Sequence, residues 1–77
     1  MGGREKENEQ REDAWPEVVG WPAAAAMMQI NSDRPDVAIE VVQDGTNVAP
    51  GYNAYRVRVY FDAGNASGPV LYTPVVG

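Results

Sequence analysis

Ala23, Ala26, Met27 and Ile30 recur at the i, i+3, i+4, i+7 spacing of one buried helical stripe, and no helix breaker interrupts 23–31. Pro22 suits the first turn, where its missing N–H costs nothing, and Asn31-Ser32-Asp33 followed by Arg34-Pro35 supplies the stop. No Ser, Thr, Asp or Asn immediately precedes this helix, so its start lacks a side-chain cap. Met27 and Met28 read as packing residues, with a partner-binding pair as the alternative. Further on, the period changes to two. Val37, Ile39 and Val41 alternate with Ala38, Glu40 and Val42, which predicts a strand with one face buried that ends at Asp44-Gly45. Tyr55 to Phe61 is a second strand, with Val57, Val59 and Phe61 inward and Arg56, Arg58 and Tyr60 outward.

Between these strands lies a loop of about nine residues. Its Asn47, Pro50, Gly51 and Asn53 cannot belong to a strand interior. It is too long for a tight hairpin and has no helix of its own for a crossover, so the two strands are expected to run parallel with the loop sweeping along the sheet edge. A loop overlooked by alternating arginines is a surface device for presenting backbone. Upstream, Trp15 is a core anchor of a short irregular segment ended by Gly20, while Trp21 either packs over Trp15 or lies exposed as a contact residue. Downstream, Asp62 to Pro69 is a turn by composition, and Val70 to Thr73 a short final strand. Asn65-Ala66-Ser67 matches a glycosylation sequon and is read as an unmodified turn. Tyr55, Tyr60 and Tyr72 are read as sheet-face packing.

Composition narrows the chemistry. A chain of 77 residues holds one domain with a small core. Residues 1–13 have no apolar residue after Met1 and are read as a disordered charged tail, a helix without an apolar face being the alternative; the domain spans 14–77. Without cysteine or histidine there is no disulfide, no thiolate metal site and no Ser–His or Cys–His catalytic pair, so an enzyme is not expected, nor a cofactor or metal. A net charge of −5, from eleven acidic and six basic residues, argues against nucleic-acid and anionic-membrane partners. No apolar run approaches the roughly 20 residues that span a bilayer. The N-terminus shows no signal-peptide core, so the chain is expected to be intracellular or already processed.

The assembled pattern resembles the potato inhibitor I family of serine-protease inhibitors. Trp-Pro-Glu-Val-Val-Gly at 15–20 is similar to the family's opening motif, and one helix follows, then the turn Arg34-Pro35-Asp36. A strand ending in Gly45-Thr46, the loop, Arg56-Val57-Arg58-Val59-Tyr60 and a terminal Pro-x-Val-Gly complete the match, in register from Trp15 to Tyr60. The resemblance implies an α+β fold, a single helix packed on a small mixed β-sheet with the last strand antiparallel, and a monomer. It implies that Thr46, Asn47, Val48, Ala49, Pro50, Gly51, Tyr52 and Asn53 form a protease-binding loop docked like a substrate. Pro50–Gly51 would be the reactive bond, with Arg56 and Arg58 supporting the loop from beneath. The implied partner is a subtilisin-, chymotrypsin- or elastase-like serine endopeptidase, and the implied biology is plant defence and the response to wounding.

The sequence departs from the family at the loop itself. Pro50 stands where the family places a pocket-filling side chain, and it has no backbone N–H to donate. Ala49 and Gly51 replace a threonine and an acid that accept hydrogen bonds from the arginines, leaving only backbone carbonyls. Gly51 adds backbone freedom, which Pro50 partly offsets by fixing its own φ and restricting Ala49. Val75 replaces a further bracing arginine, and the Asp62–Pro69 turn carries a few inserted residues. Two or three lost charge-assisted bonds, each about 1.5–3 kcal/mol, predict altered specificity or weak potency, on the order of 10³-fold. The alternative is a scaffold that has lost inhibition and binds a non-protease protein through the same loop.

Overall fold

The computed structural model describes residues 12–77. Most of the tail, 1–11, therefore lies outside the described residues. Glu12 and Asp13 are held against the domain: Glu12 O accepts from Arg34 Nη1 at 3.1 Å, and Asp13 O accepts from Val76 N at 2.9 Å. Trp15 then leads into a single 3₁₀ turn, Pro16–Val18, started by the proline's fixed φ.

The helix α1 spans Ala23–Asp33. It begins without a side-chain cap, as expected, and Pro22 occupies the cap position itself rather than the first turn. The orphan amide of Ala23 is satisfied by Gly68 O at 3.0 Å, a carbonyl brought from the Asp62–Pro69 turn. Ala26 and Ile30 are buried and Ala23 and Met27 half-buried, while Met28 is 74% exposed. The helix runs through Asn31-Ser32-Asp33 instead of stopping there, because Asp33 is held by two partners. Its Oδ2 accepts from Trp15 Nε1 at 2.9 Å and from Gln29 Nε2 at 3.1 Å. Arg34 ends the helix, its N–H still reaching Ile30 O.

Among the described residues, Arg34 is the one buried charged side chain, 6% exposed. Its Nε and Nη2 grip the two oxygens of Asp36 at 2.9 and 3.0 Å, and Nη1 ties down Glu12 O. The bond to Asp36 raises the guanidinium above its ordinary value. Arg34→Ala is expected to cost about 2 kcal/mol of unfolding free energy in urea titration. Arg34→Lys, which cannot make the forked contact, should recover less than half of that loss.

Strands β1 (Ala38–Gln43) and β2 (Arg56–Phe61) pair in parallel, Ala38 opposite Arg56 through Gln43 opposite Phe61. Bonds from Ala38 N to Tyr55 O (2.8 Å) and from Asp44 N to Phe61 O (3.0 Å) close the two ends of this ladder. Helix α1 lies on the face that carries Val57 and Val59, both fully buried, and these form one core with Trp15, Val18, Ile30, Val37 and Val70. The expected burial of alternate β1 residues holds only at its start. Val37 is buried and Ile39 half-buried, but Val41 is 40% exposed, whereas Val42 on the opposite face is 8% exposed. Among the described residues β1 has no strand on its outer side, so it forms an edge of the sheet.

The expected final strand over Val70–Thr73 is instead a run of isolated antiparallel bridges, Phe61 with Val70 and Val57 with Val76. Pro69 and Pro74 lack the N–H that a continuous ladder would need. Val70 is gripped from the other side, by Gly20 N to Val70 O (2.8 Å) and by its own N–H to Trp21 O (2.9 Å). β2 is thus the centre of a small mixed sheet. Trp21, left open by the sequence, is 37% exposed.

Candidate functional site: a braced loop above the sheet

The loop starts from a turn closed by Thr46 N to Gln43 O at 3.1 Å. It ends at Asn53, whose side-chain Oδ1 accepts from Tyr55 N at 2.8 Å while its carbonyl accepts from Arg56 N at 3.2 Å. Between these anchors no regular structure interrupts Thr46 to Pro50, and the chain bends at Gly51. Of the candidate loop residues only Val48 is half-buried; Thr46, Asn47, Ala49, Pro50, Gly51, Tyr52 and Asn53 are exposed, Tyr52 to 75%. Gly51 has φ of 110°, a conformation that side chains rarely adopt, and a Cβ there would touch nothing within 4 Å. Glycine is therefore required by the local backbone, not by crowding.

Both arginines of β2 rise from the outward face of the sheet to the loop. Arg56 Nη2 donates to Gly51 O at 2.8 Å, and Arg58 Nη2 donates to Ala49 O at 3.2 Å. These are the carbonyls immediately after and before Pro50. The absence of side-chain acceptors at residues 49 and 51 does not sever the contact; it transfers the contact to the main chain. Each guanidinium is also fixed on the scaffold side. Arg56 holds Gly77 O through Nε (3.1 Å) and Nη2 (2.6 Å), and Arg58 Nε pairs with Glu40 Oε1 at 2.9 Å.

Gly77 is the site residue that sequence reasoning missed. Gly77 O also accepts from Asn53 N (2.9 Å), and its N–H donates to Arg56 O (2.9 Å), so one residue links the loop's end, the brace and β2. The terminal Pro-x-Val-Gly motif was visible, but no spacing rule connects residue 77 with residues 51–56. Val75 supplies no third brace. It is 51% exposed and lines, with Arg58, Tyr60, Tyr72 and Thr73, an open pocket of about 320 Å³. Tyr60 and Tyr72 meet edge-on at 6.1 Å, and Tyr72 donates to Asp44 Oδ1 at 3.0 Å, which raises its hydroxyl above the ordinary tyrosine value. Among the described residues no cluster of acidic side chains is arranged to hold a metal. No described helix is long and apolar enough to cross a membrane.

The sequence model of the potato inhibitor I family matches residues 5–77. The chain belongs to that family. Subtilisin inhibitor 1 of Phaseolus angularis is 39% identical over 64 residues, covering 83% of this chain and 66% of the bean protein's length. This chain thus spans just under two thirds of that relative. A chymotrypsin inhibitor of Lumbricus terrestris is 38% identical over 64 residues, covering 83% of this chain and 71% of its own. Among solved structures, the bitter gourd trypsin inhibitor superposes with a TM-score of 0.80 at 29% identity, over 88% of this chain and 96% of that one. These relatives are inhibitors rather than enzymes, and the inhibitor fold, one helix on a small sheet with two parallel strands, is the fold described above. The family match begins at residue 5, within the stretch read as tail.

Proposed function

We propose that this chain inhibits a serine endopeptidase by substrate-like docking of loop 46–53, with Pro50–Gly51 as the bond presented and Arg56 and Arg58 as the loop's supports. The observation that carries this reading is the pair of arginine bonds to the carbonyls flanking Pro50. A loop fixed on both sides of one peptide binds without a large ordering penalty, and its cut ends stay near one another. The names of the matched relatives point the same way: inhibitors of subtilisin, of chymotrypsin and of trypsin. Gly51 turns the chain after Pro50, and its carbonyl is held by Arg56.

Pro50 defines the target. A short ring at the specificity position fits an endopeptidase with a small or proline-tolerant primary pocket better than one with a deep aromatic or basic pocket. Defence against foreign proteases is the biological role that accompanies this reading, and the earthworm relative places such inhibitors outside plants as well.

Titration against subtilisin, chymotrypsin and pancreatic elastase tests the proposal, comparing the natural chain with Pro50→Met. Methionine restores a pocket-filling side chain and one backbone donor. Inhibition of subtilisin or chymotrypsin by the variant is expected to be about 10- to 100-fold tighter, roughly 1.4–2.8 kcal/mol. If neither protein competes with a small peptide substrate of any of the three enzymes, inhibition fails as the function. The second reading then takes over: a non-protease partner recognised through the same loop, for which Tyr52, 75% exposed beside Pro50, is a suitable anchor.

A further inference from the structure

The two braces differ in what holds them from below. Arg56 is anchored by a main-chain oxygen, that of Gly77, whereas Arg58 is anchored by a side-chain carboxylate. Glu40 and Arg58 are direct partners in the parallel register of β1 and β2. The ion pair measures 2.9 Å, with the arginine side chain 15% exposed and the glutamate 49% exposed. Nε and Nη2 lie along one edge of a rigid planar group, and on Arg58 that edge is divided: Nε goes to Glu40 and Nη2 to Ala49 O. Fixing one donor therefore aims the other. A long arginine side chain without such an anchor must lose its rotamer freedom each time it meets the loop. The loop has no anion of its own to attract Arg58, because residues 46–53 include no acid and the two flanking residues are alanine and glycine.

We propose that Glu40 is a positioning residue of the loop: its carboxylate orients the Arg58 guanidinium onto the carbonyl of Ala49 and supplies from the sheet the negative charge that the loop lacks. Its effect on proteases rests on the inhibitor reading; its effect on loop order does not. The brace is thereby built into the scaffold strand, outside the segment that a protease touches.

The test uses the full chain with Glu40→Ala, Glu40→Gln, Arg58→Ala and the double variant. Backbone ¹⁵N relaxation and amide exchange at Val48, Ala49, Gly51 and Tyr52 are measured in the free protein, well below its unfolding temperature, alongside inhibition of subtilisin. Glu40→Ala should make these amides more mobile and weaken inhibition about fivefold, the upper range for one partly exposed ion pair. Glu40→Gln, which keeps an acceptor for Nε, should retain most of the loop order. The double variant should be no worse than Arg58→Ala alone. Loop amides unchanged in Glu40→Ala, or losses that simply add in the double variant, would overturn the proposal. A merely structural ion pair would lower the unfolding midpoint and leave the loop amides as they are. If Glu40→Ala loosens the loop while the natural chain inhibits no protease, the inhibitor reading fails and the positioning role stands.

Discussion

Arg56→Ala is expected to weaken inhibition by roughly 10²- to 10³-fold, the largest loss at any position in the site. The side chain makes three hydrogen bonds, one to Gly51 O and two to Gly77 O. Removing it releases the carbonyl after Pro50 and leaves Gly77 tied to Asn53 and β2 by main-chain bonds alone. At about 1.5–3 kcal/mol for a bond from a charged donor, reduced here by partial exposure, the two acceptors together account for roughly 3–4 kcal/mol. The loop should also become an ordinary substrate, cut faster between Pro50 and Gly51 or at a neighbouring bond. A progress-curve inhibition assay, with mass spectrometry of the loop over the same period, reads both effects. Arg56→Lys provides the control. A lysine carries the charge but meets one acceptor at a time, so it should fall between the two. Potency within threefold of the natural chain for Arg56→Ala would show that the loop keeps its shape without this strut.

The second large effect concerns the fold. Trp15 is fully buried, and its indole N–H donates to Asp33 Oδ2 at the end of α1. Its backbone N–H also binds Pro74 O at 3.0 Å, so one residue joins the N-terminal segment, the helix and the C-terminal segment. Trp15→Ala should cost about 3–5 kcal/mol. A chain of this length has a total stability of about 4–12 kcal/mol, so the variant should be largely unfolded near 25 °C or melt far below the natural protein. Urea unfolding followed by circular dichroism measures the loss. Trp15→Phe separates its causes by keeping most of the apolar volume while leaving Asp33 without its indole donor. It should cost less than half as much.

The helix, both strands and their parallel pairing were legible because each follows from local pattern. The period changes from 3.6 to two between Ile30 and Val37, and a nine-residue connection without a helix leaves few topologies. The alternation along β2 also placed Arg56 and Arg58 on one face with Tyr60. Burial along β1 was less legible. Alternation identifies which residues share a face, but not how far each face of an edge strand is covered along its length, so Val41 is exposed while Val42 on the other face is buried. The final strand was lost to proline chemistry that the sequence displayed openly, at Pro69 and Pro74. Gly77 and Glu40 were not legible at all. Their roles depend on register and on tertiary closure, and a glycine or a strand glutamate has the same appearance whether or not an arginine reaches it.

The parallel register has a further consequence, for the chain's tolerance of added length. Partners across the sheet stand 18 positions apart, as from Ala38 to Arg56, so pairing β1 with β2 closes one loop of fixed size. Closure entropy grows only logarithmically, and doubling that segment adds about 0.6 kcal/mol. A peptide of a dozen or more residues inserted between Pro50 and Gly51 should therefore leave the domain folded while abolishing every function that depends on the loop's shape. The same protein is then a carrier: its termini of insertion are held by two arginines on a sheet that does not depend on what lies between them.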